Sequence, residues 1–335
     1  MSMAARKNII PVFIPNWGCP YRCVYCDQKV ITAQTGGRKV SGQIGYALTR
    51  VPPGAYPVEV AFYGGTFTAL PQGLQKELLE AVEPYRASGM VDAVRVSTHP
   101  AFINPETLAL LADYGVKTVE LGVQSMDPMV LQLSGRDYGP DMVQAAVRLL
   151  KQRGFKTGIQ IMPGLPGDTK EKTLDTVRRV ISLQPDFVRV YPTVVISNTP
   201  LAEMYQAGKF QALSLEEAVD WCKDISRLFV QAEIPIIRMG LHPSRELETQ
   251  VLAGPYHPAF KALVDSALAL DQILAQVTRG GGQLVVSCNP RDIPVVRGHK
   301  NTNIIKLRTL CSLQAVDVRP DVSLPGGTFR VVVKP

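Results

Sequence analysis

Seven short runs of apolar and β-branched residues, five of them followed by a stretch of helical length, constrain the first 240 residues more than any other feature. The runs fall at 9–14, 58–63, 93–97, 118–122, 157–161, 187–191 and 234–238. Helical patterns occupy 73–88, 105–114, 140–153, 170–183 and 215–232. Several have explicit starts. Asn104-Pro105 supplies an N-cap and a first-turn proline, and Ser214 precedes Glu216 and Glu217. Strands that alternate with helices predict βαβ units on a parallel sheet, and six or seven such units make a full or partial α/β barrel. In barrels the chemistry gathers at the C-terminal ends of the strands, so the loops after each run deserve the closest reading.

The pattern changes after about residue 243. A helix is expected over 258–278, closed by Gly280-Gly281-Gly282, with strands at 283–287, 315–318 and 329–333. The expected organisation is a core barrel over 1–243 and a small α+β extension over 244–335. A 335-residue chain with 46% hydrophobic and 19% charged residues can bury a sizeable core. The apolar run near the start is broken by Pro11 and Pro15 and is too short for a signal sequence, and no stretch approaches the ~20 apolar residues of a membrane span. The expected setting is cytoplasmic, without a membrane.

Six cysteines in a reducing compartment are poor disulfide candidates. Three of them, Cys19, Cys23 and Cys26, crowd into eight residues with C-x3-C-x2-C spacing, directly after the first strand. Cys222, Cys288 and Cys311 stand apart and read as ordinary buried thiols. Three thiolates without a dependable fourth ligand suit an iron–sulfur cluster better than zinc, because a four-iron cube held by three cysteines keeps one iron open to a chelating ligand.

This cysteine motif, with the aromatic Tyr25 before its last cysteine, resembles the radical S-adenosylmethionine (SAM) superfamily. The resemblance implies a partial (β/α)6 TIM-like barrel, a 4Fe-4S cluster on Cys19, Cys23 and Cys26, and SAM chelated at the open iron. It also implies an external one-electron reductant and abstraction of a substrate hydrogen by the radical that SAM yields. Further motifs close successive strands. Tyr63-Gly64-Gly65-Thr66 looks like the superfamily's glycine-rich motif, which receives the amino group of SAM; Thr66 stands where Glu is commoner. Ser97-Thr98-His99 ends the third strand, with His99 either a site residue or a strand-end histidine. Gln124 and Ser125, in a Gly-Val-Gln-Ser stretch, are expected to face the barrel mouth, and Arg136 is a candidate for the SAM carboxylate or else a surface arginine. Gly164 and Leu165 lie in a loop that in relatives packs near the adenine.

The stretches 190–209 and 238–260 resemble the Elongator catalytic subunit, a radical SAM enzyme of tRNA wobble uridine, so the likeness extends over roughly residues 8–270. The C-x3-C-x2-C spacing is closer to oxygen-independent coproporphyrinogen III oxidase, and the chain is too short for an acetyltransferase domain after the core. Three readings follow. The first is radical modification of RNA, a tRNA base in particular. The second is action on a small anionic molecule such as a tetrapyrrole. The third is a non-catalytic iron–sulfur module. The net charge of +7 favours an anionic partner and is concentrated at the two ends. Residues 1–50 carry Arg6, Lys7, Arg22, Lys29, Arg38, Lys39 and Arg50 against Asp27 alone. Residues 279–335 carry nine basic residues against Asp292, Asp317 and Asp321. The Tyr256-His257-Pro258 segment reads as a turn between domains or as a lining of the mouth.

Overall fold

The computed structural model describes residues 8–32, 40–52, 58–277 and 281–334. Arg6, Lys7, Arg38, Lys39 and Arg279 of the basic ends lie outside the described residues, as do Gly280 and the expected last residue of the 258–278 helix. The chain divides into two compact units, one of residues 1–213 and 228–256, the other of residues 214–227 and 257–335.

The first unit is built on β1 (Asn8–Phe13), β2 (Val58–Tyr63), β3 (Ala93–Thr98), β4 (Val116–Gln124), β5 (Lys156–Ile161) and β6 (Phe187–Val190). A short β7 (Val195–Ile196) follows, then β8 (Ile236–Met239) and β9 (Val251–Ala253). Strands β1 to β6 and β8 form one parallel sheet in chain order, curled into a half-barrel whose seven strands answer to the seven expected runs. β1 and β8 are its two edges, so among the described residues the barrel stays open. β7 and β9 pair antiparallel beside it. Connecting helices bury an apolar stripe; Val143, Ala146, Val147 and Leu150 make that stripe on the helix Pro140–Gln152. The helix expected over 73–88 is two helices, Gln72–Glu80 and Glu83–Ala87. Pro84 explains the break, since it has no amide proton and would clash with the carbonyl four residues earlier.

The concave face of the sheet holds charges. Arg95 on β3 bonds Glu59 on β2 (Nη2 to Oε2, 2.7 Å) and Glu120 on β4 (Nη1 to Oε1, 2.5 Å). Arg189 on β6 donates from Nε to Glu120 Oε2 at 2.6 Å and from Nη2 to the Tyr63 hydroxyl at 2.9 Å. Thr118 Oγ1 donates to Glu59 Oε1 at 2.9 Å. Two carboxylates and two guanidinium groups thus neutralise one another across four strands. Gly158 on β5 leaves the room this needs, because a Cβ there would overlap the Phe187 ring and come within 3.1 Å of Glu120 Cγ.

The second unit packs the helix Phe260–Leu274 with a three-stranded sheet of β10 (Gln283–Cys288), β11 (Ala315–Pro320) and β12 (Phe329–Lys334). β10 is central, parallel to β11 and antiparallel to β12. Cys288 and Cys311 are buried in its apolar core.

Breaking a buried charge pair by removing one partner strands the other. Arg95→Met, which leaves Glu59 and Glu120 without their shared cation, should lower stability by about 3–5 kcal/mol. Urea denaturation followed by circular dichroism checks this; a midpoint equal to that of the parent would show that the network contributes nothing.

Candidate functional site

The cysteine loop has almost no regular structure of its own, and three other segments fix it. At its start, Ile14 N donates to Tyr63 O, Asn16 N to Gly64 O, and Thr66 N to Trp17 O, at 2.8 to 2.9 Å. Backbone lies on backbone here. A Cβ on Gly65 would overlap the Trp17 carbonyl oxygen and sit 2.7 Å from that of Ile14, and Gly64 holds φ +90°. In the middle, Val24 N donates to Ser134 O at 3.2 Å. At the end, Leu201 N donates to Val24 O at 2.8 Å. The Tyr25 ring is buried in an apolar cluster with Val130, Leu165 and Leu201, on which Cys23 and Cys26 rest. Leu165, expected near the adenine, therefore lies beneath the cysteine loop. Gly164 has φ +81° and gives its amide to Asp168 Oδ2 at 2.9 Å; that half-buried carboxylate, lifted to about 6 by desolvation, also takes the Thr169 amide and Thr173 hydroxyl.

Each sulfur has a neighbour able to donate to it. Thr66 Oγ1 lies 3.4 Å from Cys19 Sγ, Gln28 Nε2 donates to Cys26 Sγ at 3.3 Å, and Arg136 Nη1 donates to Cys23 Sγ at 3.2 Å. Burial, and then the proximity of Cys23, push the Cys26 thiol up to about 12. A Cys26 thiolate so placed needs a bound cation to remain deprotonated. Among the described residues no three His, Cys, Asp or Glu side chains come close enough to share one metal ion. Mononuclear zinc in a structural site takes four protein ligands, one more than the three cysteines of this loop. A cubane offers each thiolate its own iron, so three soft donors on one loop fit an iron–sulfur cluster with one iron free of protein.

Arg136 is not a surface residue. It is buried, with Nε on the Tyr138 hydroxyl at 3.0 Å, Nη1 shared by Cys23 Sγ and the Tyr25 hydroxyl, and Nη2 on the Gly122 carbonyl. Gln124 closes β4 at φ +66°, at a register shift between β4 and β5, and its Oε1 accepts from Gln160 Nε2 at 3.1 Å. The expectation that Ser125 faces the mouth is corrected. Its hydroxyl is buried, 3.3 Å from Thr176 Oγ1 on the helix Lys170–Ser182, and takes the Asp127 amide, so it serves packing. His99 is half satisfied: Nδ1 accepts the Ala101 amide at 3.1 Å, which puts the proton on Nε2, and Nε2 finds no partner among the described residues. Desolvation, and then the Arg136 charge, hold His99 down at about 3. His257 Nδ1 accepts the Ala259 amide, the bond of a turn. Gln28, Tyr138 and Gln160 went unnoticed in the sequence, but Tyr63, Glu120 and Arg189 left a signal, since polar residues at alternate positions of apolar strands face one side of a sheet.

Comparison with known proteins agrees with this geometry. Residues 14–180 match the Radical SAM superfamily and residues 185–269 the Radical_SAM C-terminal domain. The chain belongs to the radical SAM superfamily, to which 4Fe-4S and SAM are inherent. Within that class it is similar to the tRNA uridine(34) acetyltransferase of Methanocaldococcus infernus, 28% identical over 183 residues, which are 49% of this chain and 34% of that protein. It is also similar to Elongator complex protein 3 of Homo sapiens, at 26% identity over 58% of this chain and 39% of that one. An uncharacterized protein of Methanocaldococcus jannaschii is 27% identical over 62% of this chain and 63% of its own. The chain thus spans between a third and two thirds of the length of these relatives. The solved structure of M. infernus Elp3 with an N-terminal deletion superposes with a TM-score of 0.62 at 22% identity, over 79% of this chain and 63% of that one. No helix among the described residues is long and apolar enough to cross a membrane.

Two outcomes follow. Gly65→Ala should keep the fold but displace the cysteine loop, so iron bound after anaerobic reconstitution drops severalfold; unchanged iron would mean that the loop tolerates a side chain there. His99, which ionises far lower in the folded than in the unfolded chain, adds stability above its unfolded pKa of ~6.5 that is lost as pH falls toward 3, by at most ~1.4 kcal/mol per pH unit. His99→Gln should flatten the dependence of urea midpoint on pH below 6.5, and an unaltered slope would clear His99 of that role.

Proposed function

We propose that this protein modifies a base in RNA, a tRNA wobble uridine in particular, by abstracting a hydrogen with a SAM-derived radical. The observation that supports it best is the cysteine loop seated on Gly64, Gly65 and Thr66 at the mouth of an open half-barrel. The substrate class comes from the tRNA-modifying relatives and from the basic ends of the chain. Cys19, Cys23 and Cys26 would hold the cluster. When bound, the cluster and SAM supply an electron from an external reductant and a 5′-deoxyadenosyl radical.

The chain's own residues do the rest. The Gly64-Gly65 backbone seats the cysteine loop on the strand end, and Thr66 places a hydroxyl beside Cys19. Arg136 holds Cys23 and lies where a carboxylate beside that sulfur would meet a fixed positive charge. Gln124 is locked by Gln160, which presents one orientation of its amide to the mouth. Below them the Tyr63–Glu120–Arg189 network forms a rigid polar floor from which water need not be recruited to satisfy charge. An open barrel admits one flipped-out base while the rest of a large RNA stays outside. The division at residue 243 and the cytoplasmic setting belong to the same proposal.

The cysteine spacing favours a second reading, a small anionic substrate such as a tetrapyrrole, gripped through its carboxylates. One experiment separates the two. Nucleosides from total tRNA of a deletion strain, compared with the parent by mass spectrometry, should lack a modified uridine, and the anaerobically reduced protein should release 5′-deoxyadenosine from SAM. Unchanged nucleosides with altered tetrapyrroles would overturn the RNA reading.

A further inference from the structure

In the second unit, β10 and the parallel β11 are joined by two helices, Ile293–Arg297 and Thr302–Cys311, with a four-residue loop between them, Gly298-His299-Lys300-Asn301. β12 completes the sheet on the other side of β10. Two helices joined by a tight Gly-x-x loop, set between two strands of a three-stranded sheet, are the arrangement of the KH module, whose loop grips the backbone of single-stranded nucleic acid.

The loop has the conformation that such a grip needs. Gly298 holds φ +75°, and a Cβ there would lie 2.8 Å from Thr302 Oγ1 and 3.0 Å from the Asn303 amide nitrogen. Lys300 and Asn301 are both left-handed, at φ 52° and 60°. Asn301 stands where a second glycine would be least strained, and Asn is the side chain that tolerates this region best. The loop closes on itself, with the Asn301 amide on the Gly298 carbonyl at 3.1 Å and the Gly298 amide on that of Pro294 at 3.0 Å, which leaves the exposed side chains of His299 and Lys300 at its tip. The loop is also held in shape. The buried Asn303 donates to Ser266 O at 2.8 Å and to Val295 O at 3.3 Å, tying the second helix to the first and to the helix Phe260–Leu274.

The charge around the loop has no internal use. Arg291, Lys300, Lys306 and Arg308 are exposed and make no ion pair among the described residues, whereas Arg319 and Arg330, farther along, are paired with Asp317 and Asp321. Arg297 is bonded through Nε to Asn301, which leaves its two terminal nitrogens for other acceptors. A loop held in this shape, with Lys300 at its tip and unpaired cations on and beside the two helices it joins, suits a phosphodiester backbone in sign. We propose that the segment 283–334 is a KH-like module that binds single-stranded RNA through the loop 298–301. The inference deepens the RNA-modification reading and rests on it only for RNA as the ligand.

The test uses the full chain, without SAM or reductant, and a fluorescein-labelled unstructured RNA of about a dozen nucleotides followed by anisotropy. The wild type should bind it, more weakly at about 200 mM than at 50 mM salt. The double variant His299→Asp with Lys300→Asp should lose at least about tenfold in affinity. Its melting curve, iron content and RNA-free SAM cleavage should match the parent, and Lys300→Arg should keep the affinity. Wild-type affinity in the double variant, equal binding of a duplex RNA, or tighter binding of the same sequence as DNA would each overturn the proposal. Loop-dependent binding alongside unchanged cellular nucleosides would leave the module standing and remove only the tRNA-uridine reading.

Discussion

The close approach of two backbones, Ile14 to Trp17 against Gly64 to Thr66, is the contact on which the site depends. The cysteine loop has few internal hydrogen bonds and no flanking strand beyond β1, so its shape is borrowed from the end of β2. Glycine at position 65 is what permits the borrowing, because any Cβ would stand in the place of a carbonyl oxygen. Once the loop is seated, Tyr25 reaches the apolar cluster beneath it, and the three sulfurs meet donors that come from β2, from the loop itself and from the segment after β4. The half-barrel thus acts as a frame whose strand ends converge on one irregular segment.

The same frame explains the charged interior. A closed apolar barrel fills with branched side chains, whereas this open one carries a neutral network of two glutamates and two arginines. A network of this kind adds little net stability over an apolar filling, but it is stiff and directional. Tyr63 and Arg189 belong both to that network and to the strand ends, so the floor and the rim of the site form one hydrogen-bonded body.

Much of this was legible in the sequence, for physical reasons that differ by element. Strand β2 was read to the residue, and the other parallel strands to within a few, because buried parallel strands are runs of apolar residues and turn signals bound them. The Cys19–Cys26 spacing is local and needs no tertiary information. Several short helices were missed although their starts were written in the chain: Asp127-Pro128 and Thr199-Pro200 cap helices as Asn104-Pro105 does. Their lengths of six and seven residues gave too little periodicity to notice. Arg136 and Ser125 show the opposite difficulty. Whether an arginine is buried against a sulfur, or a serine turned toward a neighbouring helix, is decided by partners over a hundred and about fifty residues away, and no local pattern carries that.

The bond from Leu201 N to Val24 O has a consequence for how the protein is made. The thiols leave the ribosome early, but the segment that anchors their loop is translated some 175 residues later, about 10–35 s at ordinary elongation rates. Throughout that interval the three thiols hang on a nascent chain whose cysteine loop has not yet gained this support. The loop therefore takes its final shape only once residue 201 has been made, and the unfinished polypeptide carries its thiols in a different setting from that of the folded protein.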